Sequence, residues 1–187
     1  VNSGGKTSTL DLVALVTTLA HMGLPVPAEH ARIGRVRELH YHAKTQGTLD
    51  AGAFEATLRD FGALVEGVDG SPGDARAGRV MVLVDELESI TEPGAAATIV
   101  AGILEALAER DATGVFVSHL AGDIIEAADA ELSVDGIQAE GLVDGELRVN
   151  RSPVKGTLAR STPELIVEKL ADDAEGDFYG DLLGKFE

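Results

Sequence analysis

The sequence predicts an α/β domain of three layers built around a central, mostly parallel sheet. Three observations lead to it. A glycine-rich stretch, Asn2-Ser3-Gly4-Gly5-Lys6-Thr7-Ser8, runs straight into an apolar-periodic helix. An unbroken apolar run, Val80-Met81-Val82-Leu83-Val84, ends in two acids, Asp85 and Glu86. A second short apolar run, Gly114-Val115-Phe116-Val117-Ser118, follows an amphipathic helix and ends in His119. Short apolar runs separated by helices are the pattern of buried parallel strands. Open sheets of that kind bind ligands at the carboxyl ends of their strands, where these acids and this histidine fall.

The first helix is predicted over Thr9 to Leu19, from Leu10, Val13, Ala14, Val16 and Ala20 at helical spacing. The stretch before it fills the last three places of the phosphate-loop pattern G-x-x-x-x-G-K-S/T with Gly5, Lys6 and Thr7. The first glycine of that pattern, and the strand that precedes it in a P-loop NTPase, would fall before Val1. The chain is therefore expected to be one P-loop domain over residues 1–187, taken from a longer protein and lacking its first strand. Glycines let backbone N–H groups from Asn2 to Ser8 curl around phosphate oxygens, and the helix N-terminus adds its positive end. Lys6 would reach the β and γ phosphates of ATP, and the Thr7 hydroxyl would hold Mg2+. The competing reading is a glycine-rich turn with a chance Lys-Thr.

The elements that follow are taken in chain order. His30, Arg32, Arg35, Arg37, His40, His42 and Lys44 form the chain's basic strip, either a binding face or a solvated one. His40 and His42 alternate, which on a strand puts them on one face. Gly67 to Gly78 reads as a surface loop. At the end of the Val80–Val84 strand, Asp85 would hold Mg2+ and Glu86 would polarise the attacking water. The alternative there is a strand end followed by a solvated acidic turn of Glu86, Glu88 and Glu92. A helix is predicted over Ala95 to Arg110. His119, at the next strand end, can hydrogen-bond a γ-phosphate and sense its loss. Asp135-Gly136 and Asp144-Gly145 read as hairpin turns flanking Gln138 to Val143 and Glu146 to Asn150, a β-hairpin near Ile137 to Arg148. A short helix is predicted over Pro163 to Leu170, with Thr162 as its cap. The acidic tail from Asp172 to Glu187 carries Phe178, Tyr179, Leu182, Leu183 and Phe186, either a helix for a partner subunit or a frayed end.

Charge narrows the function classes. Thirty-two acidic residues face fifteen basic ones, a net charge of -17. Such a field repels phosphate backbones, so this chain is not expected to hold nucleic acid unaided. The acids are dispersed, as on a solvated surface suited to the high-salt cytoplasm of a halophile, where salt screens self-repulsion, or as in an acidic domain whose counter-charge lies elsewhere in a longer protein. There is no cysteine, which excludes disulfide frameworks, zinc ribbons and thiol nucleophiles. No apolar run reaches membrane-spanning length and no signal peptide opens the chain, so a cytoplasmic protein without a membrane partner is expected.

Together these pieces resemble the ABC-type ATPase domain of the MutS family of DNA mismatch-repair proteins. Asn2 to Ser8 resembles its loop, G-P-N-x-G-G-K-S/T. Gly23-Leu24-Pro25-Val26-Pro27-Ala28-Glu29-His30-Ala31-Arg32-Ile33-Gly34 is similar to the family's G-x-x-V-P-A-x-x-A-x-I-G, a segment that no generic nucleotide-binding rule requires. Asp85-Glu86-Leu87 resembles D-E-I/L/P. Thr91-Glu92-Pro93 resembles the turn of the second MutS type, and Ser118-His119 resembles the family's T-H switch. The family's S-T-F-x-x-E/H-M signature, which reaches the partner subunit's ATP, is matched at Phe54, with Gly52 in place of its serine. Glu88-Ser89-Ile90 stands where a glycine-rich turn is usual. The family's S-Y-G-I motif is replaced by Thr157 to Glu164. The L-S-G-G-Q signature of other chromosome-maintenance ABC ATPases is absent.

The resemblance implies an ATP-binding and hydrolysing domain. Two such domains meet head to tail in a homodimer, each site borrows the Phe54 region of the other, and ATP switches a clamp whose DNA contacts belong to other domains. A nucleotide-gated dimerisation module with little turnover is the alternative, and a small-molecule kinase is a further rival.

Overall fold

The protein is described by a computed structural model covering residues 5–44, 51–68, 79–110, 112–137, 139–143, 146–149, 152–158, 162–173 and 177–185. The chain forms two compact units, one of Thr7–Leu132 and one of Ser133–Glu187 with Val1–Lys6.

The larger unit is α/β. Its sheet has three strands in the order β1 (Val36–His42), β2 (Arg79–Asp85) and β3 (Thr113–Val117), all parallel. Helix α2 (Ala51–Gly67) crosses from β1 to β2, and α3 (Pro93–Ala108) crosses from β2 to β3. Sequential parallel strands joined by crossovers of the usual hand carry their helices on one face, and the core agrees. Val80, Val82 and Val84 alternate along β2 and pack with Phe61 and Val68 of the α2 region and Leu107 of α3. Val82 is 0% and Val84 1% exposed, so the central strand is closed on this side. β2 is apolar at every position from 80 to 84 because its other face is covered as well: Leu83 is also 0% exposed.

Helix α3 begins with Pro93, whose fixed φ suits a first turn. It buries Ala96, Ala97, Val100 and Ala101, small side chains that let α4 (Ala121–Ala127) pack against it through Ile124. The strand beneath α3 makes room in the same way. A Cβ on Gly114 would lie 2.9 Å from Leu104 Cδ2 and 3.2 Å from Leu107 Cδ1. Glycine in mid-strand therefore marks a close approach of helix to sheet.

Helix α1 (Lys6–His21) runs antiparallel to β1 and is tied near both of its ends. Thr7 bonds to Asp85, the Tyr41 hydroxyl donates to Asp11 at 2.5 Å, and the Val36 N–H donates to His21 Nε2 at 2.9 Å. His21 Nδ1 faces the Thr17 carbonyl at 2.8 Å, so the two partners fix Nδ1 as the protonated nitrogen. Tyr41 and Asp85 share the sheet face opposite α2 and α3, since Tyr41 pairs with Leu83, two positions before Asp85.

The smaller unit contains two antiparallel pairs, β4 (Asp135–Gly136) with β7 (Val154–Lys155), and β5 (Ala139–Val143) with β6 (Glu146–Val149). It also holds α5 (Thr162–Asp173) and α6 (Phe178–Leu183), which pack together. The expected hairpin is β5–β6, with Val143 opposite Glu146. The Asp144-Gly145 turn itself lies outside the described residues. Asp135-Gly136 is not a turn: it pairs as β4 with residues 154 and 155. The expectation failed because the Asp-Gly signal is local, whereas this pairing is set by a segment nearly 20 residues on. Thr162 is the first residue of α5, and its side chain is outside the description. The Gly67–Gly78 loop is described only through Val68.

Candidate functional site at the carboxyl edge of the sheet

Parallel pairing places the ends of β2 and β3 side by side, with Asp85 opposite Val117. The residues that follow each strand, Glu86 and Ser118-His119, therefore emerge on the same edge.

Asp85 is 4% exposed. The Thr7 hydroxyl donates to its carboxylate at 3.0 Å from Oδ2 and 3.2 Å from Oδ1. Burial pushes the Asp85 carboxyl up from its ordinary value, the Thr7 bond opposes this, and the Glu86 charge adds to the rise. A buried carboxylate whose hydrogen-bond donor is a neutral hydroxyl forms a pair of hard oxygen ligands. That donor set fits Mg2+.

Glu86 is held differently. It has φ 46° and ψ 59°, and among the described residues it is the one non-glycine with positive φ. That conformation costs about 1–2 kcal/mol for an L-residue and persists where the surroundings impose it. Here its N–H donates to the Val117 carbonyl at 2.9 Å. Its side chain is 12% exposed and both carboxylate oxygens are engaged. His119 Nε2 donates to Oε1 at 3.0 Å, and the Lys44 ammonium donates to Oε2. Burial pushes the Glu86 carboxyl up, but the Lys44 hydrogen bond and the charges of His119 and Lys44 outweigh it and hold it below the ordinary value.

Glu88, in the 3₁₀ turn Leu87–Ile90, clamps the loop that carries His119. Its Oε1 accepts from Ser118 Oγ at 2.8 Å and from the His119 N–H at 2.7 Å, and Ser118 Oγ in turn accepts from the Leu120 N–H at 2.8 Å. Glu86 and Glu88 are thus half-buried and bonded, and only Glu92 of the three lies exposed.

Beside this edge a cleft of about 320 Å³ opens between the end of β1, the face of α2 and the end of β2. Tyr41, His42, Thr57, Asp60, Asp85 and Glu86 are among its walls. The His42 ring lies 4.5 Å from the Phe61 ring, and burial, with the neighbouring His40, pushes its imidazole down. Tyr41 sits across from Asp11; burial and that hydrogen bond push its hydroxyl up to about 12.

The structure brings two pairs of the sequence-predicted residues together, Thr7 with Asp85 and Glu86 with His119. Asn2, Ser3 and Gly4 lie outside the described residues. Gly5, at φ 80°, leads into α1, Lys6 is the first residue of that helix, and Ser8 is exposed on it. Phe54 is half-buried on α2, one turn before Thr57 and two before Asp60 and Phe61, which line the cleft. Sequence reasoning missed Lys44 as the partner of Glu86 and Glu88 as the clamp. A signal for Lys44 existed: it stands two residues beyond β1, and parallel register brings that end beside the end of β2.

No family model matches the chain. It is 44% identical over 177 residues to the DNA-binding protein MutS2 of Pyrococcus furiosus, a match covering 94% of this chain and 30% of that protein. It is 34% identical over 122 residues to the endonuclease MutS2 of an Anaeromyxobacter species, covering 64% of this chain and 14% of that protein. With the endonuclease MutS2 of Gemmatimonas aurantiaca it shares 28% over 146 residues, covering 73% of this chain and 17% of that protein. The chain thus spans less than a third of the length of these relatives. With 44% identity sustained across nearly its whole length, the chain belongs to the MutS family, among the relatives that carry the name MutS2.

Proposed function

We propose that this chain is the ATP-binding and hydrolysing part, of P-loop type, of a MutS-family protein that acts on DNA. One observation carries the reading. A Thr-Asp oxygen pair and a Glu-His pair stand on one strand-end edge, with Thr7 and Asp85 3.0 Å apart and Glu86 and His119 3.0 Å apart. This is the division of labour that phosphoryl transfer to water requires: ligands for a cation, a carboxylate for the water and a group that follows the terminal phosphate.

Lys6 and the amides from Asn2 to Ser8 bind the phosphates in this reading. Thr7 and Asp85 hold Mg2+, which when bound offsets charge on the phosphates. Glu86 accepts a proton from the attacking water, and its Oε1 stays oriented by the His119 ring. His119, whose backbone is fixed by Glu88, reports the terminal phosphate through its side chain. Family resemblance supports a homodimer in which the Phe54 region of one subunit completes the other's site, with DNA held by other parts of the parent protein.

The second reading, a nucleotide-gated dimerisation module, is favoured by the engagement of both Glu86 oxygens and by Gly52 in the signature position. ATP turnover with Mg2+ in molar KCl, measured across protein concentration, separates the two. Turnover per molecule that rises with concentration supports the composite site. Tight ATP binding with no turnover at any concentration favours the module.

A further inference from the structure

Lys44 is the cation of the strand-end edge that the reading above leaves without a role. The edge carries three carboxylates, Asp85, Glu86 and Glu88, and Lys44 pairs with the middle one. Glu86 is 12% exposed while Lys44 is 39% exposed, so the anion is fixed and the cation is at the surface. An ammonium has three N–H donors on a four-carbon stem. Glu86 Oε2 takes one of them in this arrangement. A triphosphate approaching this edge meets acidic repulsion, and a cation that can change partners relieves it. The terminal phosphate also carries more charge than a carboxylate and so competes well for the ammonium.

Resting on the nucleotide-binding reading, we propose that Lys44 exchanges Glu86 for the terminal phosphate of a bound nucleoside triphosphate. While paired, it occupies the Glu86 oxygen that would otherwise accept from water. Once transferred, it leaves Oε2 free, with Glu86 still oriented through Oε1 and His119. Lys44 then touches the terminal phosphate itself and makes release of the base depend on the third phosphate, and a diphosphate does not trigger it.

The test is equilibrium binding of ADP and of the non-hydrolysable analogue adenylyl imidodiphosphate, with Mg2+, to the full chain and its variants. In Lys44→Met the preference for triphosphate over diphosphate should fall about tenfold, the size of one charge-assisted hydrogen bond. ADP affinity should change less than twofold, and Lys44→Arg should restore most of the preference. Glu86→Gln should tighten triphosphate binding when Lys44 is present and not when it is Met, a coupling that a purely structural lysine does not produce. An unchanged preference in Lys44→Met, or equal weakening of both nucleotides, overturns the proposal while leaving the nucleotide site standing. Absence of nucleotide binding in the unaltered chain overturns the underlying reading, and this inference with it.

Discussion

Glu86→Gln separates chemistry from architecture. The substitution keeps the side-chain shape and one oxygen acceptor, and removes the charge. Its structural cost is bounded by its partners. Lys44 and His119 are 39% and 55% exposed, so solvent screens each pair to about 0–1 kcal/mol. Relief from burying a carboxylate at 12% exposure offsets part of that loss. The net change in stability should stay within about 1 kcal/mol. The chemical cost is of another size. Loss of a general base slows a step about 10²–10⁴-fold, which is about 3–5 kcal/mol of barrier. Urea denaturation, ATP affinity and single-turnover hydrolysis on one preparation read all three quantities. The expected result is near-native stability, retained binding and hydrolysis reduced by at least two orders of magnitude. Undiminished hydrolysis removes Glu86 from the role of base. A stability loss of several kcal/mol would mean that the pairs around Glu86 carry more of the fold than their exposure implies.

Gly114→Val should lower stability by about 1–3 kcal/mol, because its side chain must displace Leu104, the fully buried Leu107 and Phe116; an unchanged urea midpoint contradicts the close approach of α3 to β3. Asp85→Asn should stabilise the ligand-free fold at neutral pH. The folded value of Asp85 lies above the ordinary 3.8, so its contribution is fully present below 3.8 and is lost as pH rises through the folded value. The Asn variant escapes that loss, and its advantage in thermal melts should shrink as pH falls toward 3.8. Glu86 has the opposite sign: its folded value lies below 4.5, so its contribution is present above 4.5 and is lost as pH falls through that depressed value. With a net charge of -17, the fold should gain stability between low and molar KCl, and a flat salt response in melts would leave the acid excess without a salt-adaptive explanation.

How much of this was legible beforehand depends on the range of the signal. Val80 to Val84 is read from the chain because a strand buried on both faces is apolar at every position, and Gly114 to Val117 is read as a short apolar run although Val115 on its outer face is 37% exposed. The sequence places Glu86 and His119 each at a strand end, and their hydrogen bond follows only once the two parallel strands are known to end side by side. The bonds of Glu88 to the Ser118-His119 loop span 30 and 31 residues and depend on where a 3₁₀ turn points one side chain. No spacing rule encodes that, and a run of acids reads more naturally as solvated. The left-handed Glu86 was equally hidden, since composition gives no reason to expect a glutamate where glycine is the usual occupant. Asp135-Gly136 misled in the other direction, a strong local turn pattern overridden by pairing with a distant strand. The α3 boundary was nearly right, shifted by two residues at each end from Ala95–Arg110 to Pro93–Ala108, because proline at the first turn extends a helix that a purely apolar count starts later.

Helix α1 and strand β1 are matched in length. Fourteen helical steps from Thr7 to His21 rise about 21 Å, and six strand steps from Val36 to His42 advance about 20 Å. The helix is fastened at both ends of that span, by Thr7 and Asp11 one turn apart at the first and by His21 at the last. It therefore behaves as a strut of fixed length and fixed phase. One inserted residue would turn everything beyond it by about 100° and detach the fastenings downstream.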